Sequence, residues 1–475
     1  MTGLKRELRL WDLVLLNVVA ITGLRWWLTS AGGYGWSAMP LWGLAFVCFF
    51  VPSALAVINL TTRHPEEGGI YVWTKRAFGD GHGFIAGWCL WTNNLIYFPH
   101  LLIFTVGNFI FASGPENVPL EKNAVLVASA SLGLFWIAIL MNVRGLRYGS
   151  WINNLGALGT WVPAMLLIGL GAMAAARYGA ATPFSAAALV PHFSLDTVAF
   201  FTFICFAFSG LDLGPLMGGE IVDPRRNVPR AVLISGVIIT LIYVLGTAAL
   251  LVALPSDQIG ILSGVGVAIA AVQEKMGLGF LAGISALLIA LGGLGGISSW
   301  LAGSSRVPYV AGIDRYLPPT FGRLHDKWGT PHVALLVTGG ISSAIILLGF
   351  IGSSVEETYS QLALFTTIVY FIPYLYLFAS LIRLGAPVGA GSGGAGSGGA
   401  GSRGADPGVI PVPGGRLGTL CVGGIGFVTT AVAIAFAFVP PEGSNGPVFV
   451  GKIAGGCVVL LIIGGIFYLR GRRAA

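Results

Sequence analysis

The sequence predicts an all-α membrane protein. Twelve transmembrane helices are expected, arranged as a five-plus-five inverted repeat with helices 1 and 6 broken, followed by two C-terminal helices. Three observations predict this. Hydrophobic residues make up 55% of the 475 and charged residues only 9%, whereas a soluble domain carries about 25% charge. Basic residues are distributed unevenly between successive apolar runs. The first and sixth of those runs, five apart, are interrupted by glycine, proline or charge.

A bilayer core about 30 Å thick needs about 20 apolar residues per helix. Such runs fall at 11–31, 38–61, 83–112, 123–142, 150–176, 196–218, 231–254, 279–303, 333–352, 359–384, 417–439 and 447–469. With a cytoplasmic N-terminus, the inside segments hold 21 Lys and Arg, from Lys5 to Arg473. The outside segments hold four: Lys122, Arg177, Lys275 and Lys452. This is the positive-inside pattern, and one missed helix would scramble it. It places both termini in the cytoplasm, with the chain multi-pass in the cell membrane. The net charge of +7 then reflects topology, with no need for a nucleic-acid partner. The 71 glycines fit helices packed closely in a bundle.

Cys48, Cys89, Cys205, Cys421 and Cys457 all lie in apolar runs without a CxxC, and read as small packing residues. The six histidines make no metal-ligand pair and there is no HExxH, so neither metal nor cofactor is expected. The run after Lys5 and Arg6 is too long, and is followed by too many others, for a cleavable signal peptide. "GAGSGGAGSGGAGSRG" lies in an inside loop spanning 385–416 and reads as a flexible low-complexity tract. It divides a ten-helix core, 1–384, from a C-terminal helix pair and basic tail, 417–475. Within the core, repeat one covers about 11–176 and repeat two about 196–384.

The interrupted runs carry the functional signal. The first contains "ITGLRWWLTS", where Thr22 and Gly23 precede Arg25. The sixth reads "FICFAFSGLDLGPLMGGE", with Ser209-Gly210, Asp212 and Gly214-Pro215. Glycine weakens a helix and proline removes a hydrogen bond. Unwound backbone at membrane depth survives only where it is buried in protein or lines a cavity. Because five is odd, the two halves insert with opposite topology. Interrupted spans at matching positions of two such halves mark the substrate site of a secondary transporter. Free N–H groups at half-helix N-termini suit an anion and free carbonyls suit a cation, so the pair suits a zwitterion.

A guanidinium at this depth is costly. Three accounts of Arg25 are open: it grips a substrate carboxylate bidentately, it pairs with Asp212, or it snorkels to the outer interface beside Trp26 and Trp27. Counting along straight helices puts Arg25 about 20 Å from one face and Asp212 about 24 Å from the other, which leaves them on different levels. Asp212 itself can carry a coupling proton, face a substrate amine or cap unwound backbone. Glu67 and Glu220 read as partners of nearby arginines. His100 reads as hydrogen-bonded within the bundle, and Asn93, Asn94 and Tyr97 form a polar patch in the third span.

Several stretches resemble the amino acid–polyamine–organocation family of transporters. "PEEGGIYVWTKRAFG" is similar to the family's loop after helix 2, "FAFSGLD" to its sixth-helix motif, and "GEIVDPRRNVPRA" to the acidic, Arg-rich loop that follows. "SRVPYVAGIDRYLPPTF" with "GTPHVALL" resembles the loop after helix 8, and "PVPGG" the motif before helix 11. Bacterial amino acid permeases and glutamate–amine exchangers look most alike. The resemblance implies the leucine-transporter-type fold. It also implies a substrate pocket at Ile21, Thr22, Gly23, Leu24 and Arg25 of helix 1, Asn94 of helix 3, Phe206, Ala207, Phe208, Ser209 and Gly210 of helix 6, and Trp300 of helix 8. Phe206 and Trp300 would help close it, and Asp212 stands where the family commonly has an acidic residue for coupling or gating. Where the family has Gly-small-Gly in helix 1, this chain has Leu24 and Arg25 in the second and third positions.

The expectation is therefore a secondary active transporter of amino acids or related small zwitterions, working by alternating access, with H+ or Na+ as coupling ion or with exchange. The alternatives are an amine or polyamine permease and a non-transporting sensor on the same scaffold. A membrane enzyme would need a metal or nucleophile cluster that the sequence does not offer.

Overall fold

In the computed structural model the described residues are 6–191, 195–255, 264–314, 316–350, 354–385, 408–439 and 446–474. They form the helices α1 (Leu10–Ile21), α2 (Arg25–Tyr34), α3 (Ala38–Ala45), α4 (Val51–Arg63), α5 (Ile70–Phe78), α6 (Asp80–Ala112), α7 (Ala124–Val143), α8 (Leu146–Tyr178) and α9 (Leu195–Ala207). These are followed by α10 (Leu213–Leu216), α11 (Pro224–Ala253), α12 (Gly264–Lys275), α13 (Ala282–Ser304), α14 (Arg306–Ile313), α15 (His332–Gly349), α16 (Val355–Leu384), α17 (Gly415–Phe436) and α18 (Gly446–Ala474). No strand occurs among the described residues, only an isolated parallel bridge between Leu8 and Ile221. Most of the Gly/Ser tract, and with it the expected division of the chain at 385–416, lies outside the described residues.

Among the described residues, ten helical stretches are long and apolar enough to cross a membrane, against the twelve expected. The difference falls at the two interrupted runs. The first run ends α1 after 12 residues, and its remainder merges into a 39-residue stretch, Arg25–Arg63. The sixth run yields a 13-residue α9 and a 4-residue α10. The second run, read as unbroken, carries a π-helical turn at Phe46–Phe50.

The core is organised around α6 and α13. Glycine sets how closely α8 and α13 approach. A Cβ on Gly156 would lie 2.5 Å from the Cα of Gly295, and one on Gly159 would lie 2.2 Å from the Leu288 carbonyl oxygen. Such contact brings backbones together where lipid offers no competing hydrophobic drive, so dispersion and close packing must hold the pair.

Candidate functional site

α1 stops because Thr22 turns extended (φ −69°, ψ 96°), its N–H still reaching Val18 O at 2.8 Å. The helix restarts at Arg25, with Trp26 and Trp27 N–H donating to the carbonyls of Gly23 (3.0 Å) and Leu24 (3.2 Å). α9 stops at Ala207, where Ser209 donates both its N–H (3.0 Å) and its hydroxyl (2.6 Å) to Phe206 O. Gly210 then takes φ 121°, a conformation L side chains rarely adopt. A Cβ there would press on Ile21 at 2.8 Å, so the two interruptions touch.

Tyr243 of α11 ties them together. Its hydroxyl accepts the Gly23 N–H at 3.3 Å and faces two freed carbonyls, Ile21 O at 2.6 Å and Ala207 O at 2.9 Å. One hydroxyl proton serves two acceptors, so one carbonyl is always under-satisfied.

Arg25 is only 5% exposed. Its Nη2 donates to the Tyr97 hydroxyl at 2.8 Å, and its Cζ lies 4.6 Å from the Trp26 ring centre and 5.6 Å from that of Tyr97. Its Nε has no hydrogen-bond partner, and no carboxylate among the described residues forms an ion pair with it. Two of the sequence-based accounts are corrected here. Arg25 does not snorkel, because it is enclosed by aromatic rings at the start of α2. Nor does it pair with Asp212, whose Oδ1 is held instead by the hydroxyls of Tyr370 (2.9 Å) and Tyr374 (2.8 Å) on α16. Tyr374 also accepts the Gly210 N–H at 2.7 Å, so α16 holds the α9–α10 interruption through one carboxylate and one peptide group. The second oxygen of Asp212, Oδ2, is buried without a partner.

A cavity of ≈ 20 Å³ lies at the junction, bordered by Ile21, Arg25, Asn94, Phe206, Ser209 and Trp300 from the sequence-predicted set. A second, also ≈ 20 Å³, is bordered by Thr22, Gly23, Leu24 and again Arg25. Each is about the size of one water, and Arg25 stands between them. Trp300 donates its indole N–H to Ala20 O at 3.0 Å, and its ring meets Tyr97 and Tyr370 edge-on at 5.9 and 5.7 Å. Asn94 donates to Leu90 O at 2.8 Å, which leaves its Oδ1 without a partner.

Ala207, Phe208 and Gly210 border neither cavity. Phe208 points into a separate aromatic cluster, 5.2 Å from Trp42 and 5.4 Å from Tyr243. The unwinding after Ala207 turns successive side chains apart, which helical spacing does not foresee. Sequence reasoning missed Tyr243, Tyr370 and Tyr374. Their signal was slight: a hydroxyl in an otherwise apolar run, where a buried Tyr needs a polar partner.

A second polar cluster closes one end of the bundle. Arg306 grips Glu220 bidentately (Nε–Oε2 2.9 Å, Nη2–Oε1 2.8 Å), with both side chains nearly fully buried, and also donates to Ala302 O and to Ser305 Oγ at 3.0 Å. The Glu220 carbonyl accepts the N–H groups of Glu7 and Leu8, so the N-terminal segment is clasped to the same point. Glu67, expected beside an arginine, uses Oε2 to accept the Gly219 N–H at 2.6 Å, and its Oε1 is cut off from solvent without a partner. The "EEGG" stretch makes this possible. Gly69 adopts φ 47°, and a Cβ on Gly218 would collide with the Pro65 and Glu66 carbonyls at 2.7 Å.

Burial, and then the neighbouring Glu220 carboxylate, push the Glu67 carboxyl up to about 8, with Arg306 and the Gly219 N–H opposing. An acid raised above its ordinary value of 4.5 holds its proton only in the closed cluster. Its stabilisation is full at low pH and is lost as pH rises from that value through about 8. Thermal unfolding temperature is expected to fall across that window, and Glu67→Gln is expected to flatten the fall. An unchanged pH slope in the variant would remove Glu67 as its source.

Interrupted apolar helices that meet around buried polar groups define a membrane transporter. The chain belongs to the amino acid permease family, whose family model matches residues 8–463. An uncharacterized transporter of Legionella pneumophila is 29% identical over 92% of this chain and 90% of its own length. A glutamate/gamma-aminobutyrate antiporter of Lactococcus lactis is 25% identical over 84% of this chain and 77% of its own. A probable agmatine/putrescine antiporter of the same organism is 23% identical over 78% of each chain. Among solved structures, MhsT in complex with L-phenylalanine superposes with a TM-score of 0.62 at 14% identity, covering 92% of this chain and all of that one. That likeness shows the leucine-transporter-type fold. The family and these relatives are permeases or transporters, not enzymes.

Proposed function

We propose that the protein is a secondary active transporter of amino acids or related small carboxylate-bearing zwitterions, working by alternating access in the cell membrane with both termini cytoplasmic. On this reading the chain crosses twelve times, with α1–α2 and α9–α10 each crossing as an interrupted pair, and the ten-helix core ends before the Gly/Ser tract. The observation that carries the reading is Arg25. A buried guanidinium with a free N–H and no carboxylate beside it is an anion site awaiting its anion. The same cation argues against the amine and polyamine alternative, because it repels a positively charged solute from the space it borders.

The remaining roles follow. Trp26, Phe206 and Trp300 border the same cavity as the guanidinium and narrow it to about the volume of one water, and Asn94 Oδ1 offers an acceptor to a substrate amine. Asp212 links the site to α16 through Tyr370, whose ring borders the cavity and whose hydroxyl holds the carboxylate. That link supports Asp212 as the group that couples occupancy to movement. The test is uptake into proteoliposomes of the twenty amino acids and common amines, driven in turn by a proton gradient, a sodium gradient and preloaded substrate. Uptake of at least one amino acid is expected, and the effective gradient identifies the coupling. Uptake of amines alone, or of nothing, overturns the reading.

A further inference from the structure

We propose that an anionic phospholipid is seated lengthwise in a groove between α15 and α18, with its headgroup at Arg323 and Arg470. The groove holds ≈ 920 Å³, far more than either cavity at the interruptions, and is floored by α6 and α16. It extends roughly 20 Å along α18, over residues Ile453 to Phe467, with Trp88, Phe321 and Phe467 at one end and Gly349 and Thr358 at the other.

Its walls are apolar apart from Gln361, which lies toward the Gly349 and Thr358 end. Trp88 and Trp91 spend their indole N–H groups on Leu460 O (2.9 Å) and Thr338 Oγ1 (3.0 Å). Thr92 and Thr358 spend their hydroxyls on Trp88 O (2.6 Å) and Gly349 O (2.8 Å). A gap in packing at bilayer depth forfeits dispersion contacts along its whole lining, so a flexible apolar chain fills it favourably.

Charge at one mouth selects the headgroup. Ile463, Phe467 and Arg470 follow helical spacing on α18, so Arg470 continues the stripe that faces the groove. Arg323 lies two residues past Phe321, which packs on Trp91 at 6.0 Å, just as Phe467 packs on Trp88 at 5.6 Å. The two segments meet where Tyr316 contacts Tyr468 at 5.2 Å. Both arginines are exposed, and neither forms an ion pair among the described residues. Two free guanidiniums at the end of an apolar slot match a phosphate-bearing headgroup over two acyl chains.

The test is thermal unfolding of the purified full-length protein in mild detergent, titrated with phosphatidylglycerol or phosphatidylethanolamine. Saturating phosphatidylglycerol is expected to raise Tm by about 4 °C, and phosphatidylethanolamine by much less. Val459→Trp fills the groove from an exposed position (Val459 is 56% exposed) and is expected to abolish the response to both lipids. Arg323→Gln with Arg470→Gln is expected to erase the difference between them. Equal responses in the wild type, or a wild-type response in Val459→Trp, overturn the proposal. So does a lipid-insensitive wild type that runs as a dimer, which would mean a second copy covers the groove.

Discussion

Arg25→Ala is expected to weaken binding of a carboxylate substrate by about a hundredfold, the cost of removing a buried charge-assisted partner. The expectation has a second half that separates gripping from scaffolding. In the substrate-free protein the guanidinium has no carboxylate partner among the described residues and its Nε–H is unbonded, so it is held at a desolvation cost. Its removal is expected to leave Tm unchanged or raised. Arg25→Lys keeps the charge but loses the planar fork, and is expected to recover only part of the affinity. Loss of binding together with loss of stability would instead make Arg25 a structural residue, with the Tyr97 hydrogen bond and the stack on Trp26 as its purpose. Scintillation proximity binding and thermal unfolding on the same preparations decide between these.

The second large effect concerns the Glu220–Arg306 pair. Breaking a buried pair by removing one partner costs about 3–5 kcal/mol, because the survivor is left charged and unpaired. Here the two single variants are unequal. Glu220→Gln leaves Arg306 near Glu67, a second carboxyl able to ionise and take over. Arg306→Leu leaves two carboxyls facing each other with no cation between them. Arg306→Leu is therefore expected to be the more destabilising, and the Glu220→Leu/Arg306→Leu double variant to lie nearer wild type than Arg306→Leu alone. Equal losses in the two single variants would show that Glu67 does not share the arginine.

The sequence carried the architecture further than it carried the site. Most membrane spans are legible because they are continuous apolar runs of bilayer length, and hydropathy is a property of single residues. The interruptions were legible for the same reason: Gly23, Gly210 and Pro215 are local signals. What surrounds them is not local. Tyr370 and Tyr374 reach Asp212 across 158 and 162 residues of chain, and Tyr243 reaches Ile21 across 222, through hydroxyls that look like any other tyrosine in an apolar span. The Arg25–Asp212 pairing, one of three accounts left open and already set on different levels by counting along straight helices, is absent because each group hydrogen-bonds to tyrosine instead. Phe208, placed in the pocket by resemblance, packs instead on Trp42 and Tyr243, because unwound backbone turns side chains by no fixed period. The count of twelve spans also met its limit at the interruptions, where α1, α9 and α10 are individually too short to register as crossings.

The most direct test of the central claim, that the guanidinium at the first interruption holds a substrate carboxylate, is a matched competition in the wild-type protein. Bound radiolabelled amino acid, identified from the uptake screen, is displaced by the same amino acid and by the amine that lacks only its carboxylate. The account predicts displacement by the amino acid and, for the amine, a loss of at least a hundredfold in potency. Equal displacement by the two would contradict it.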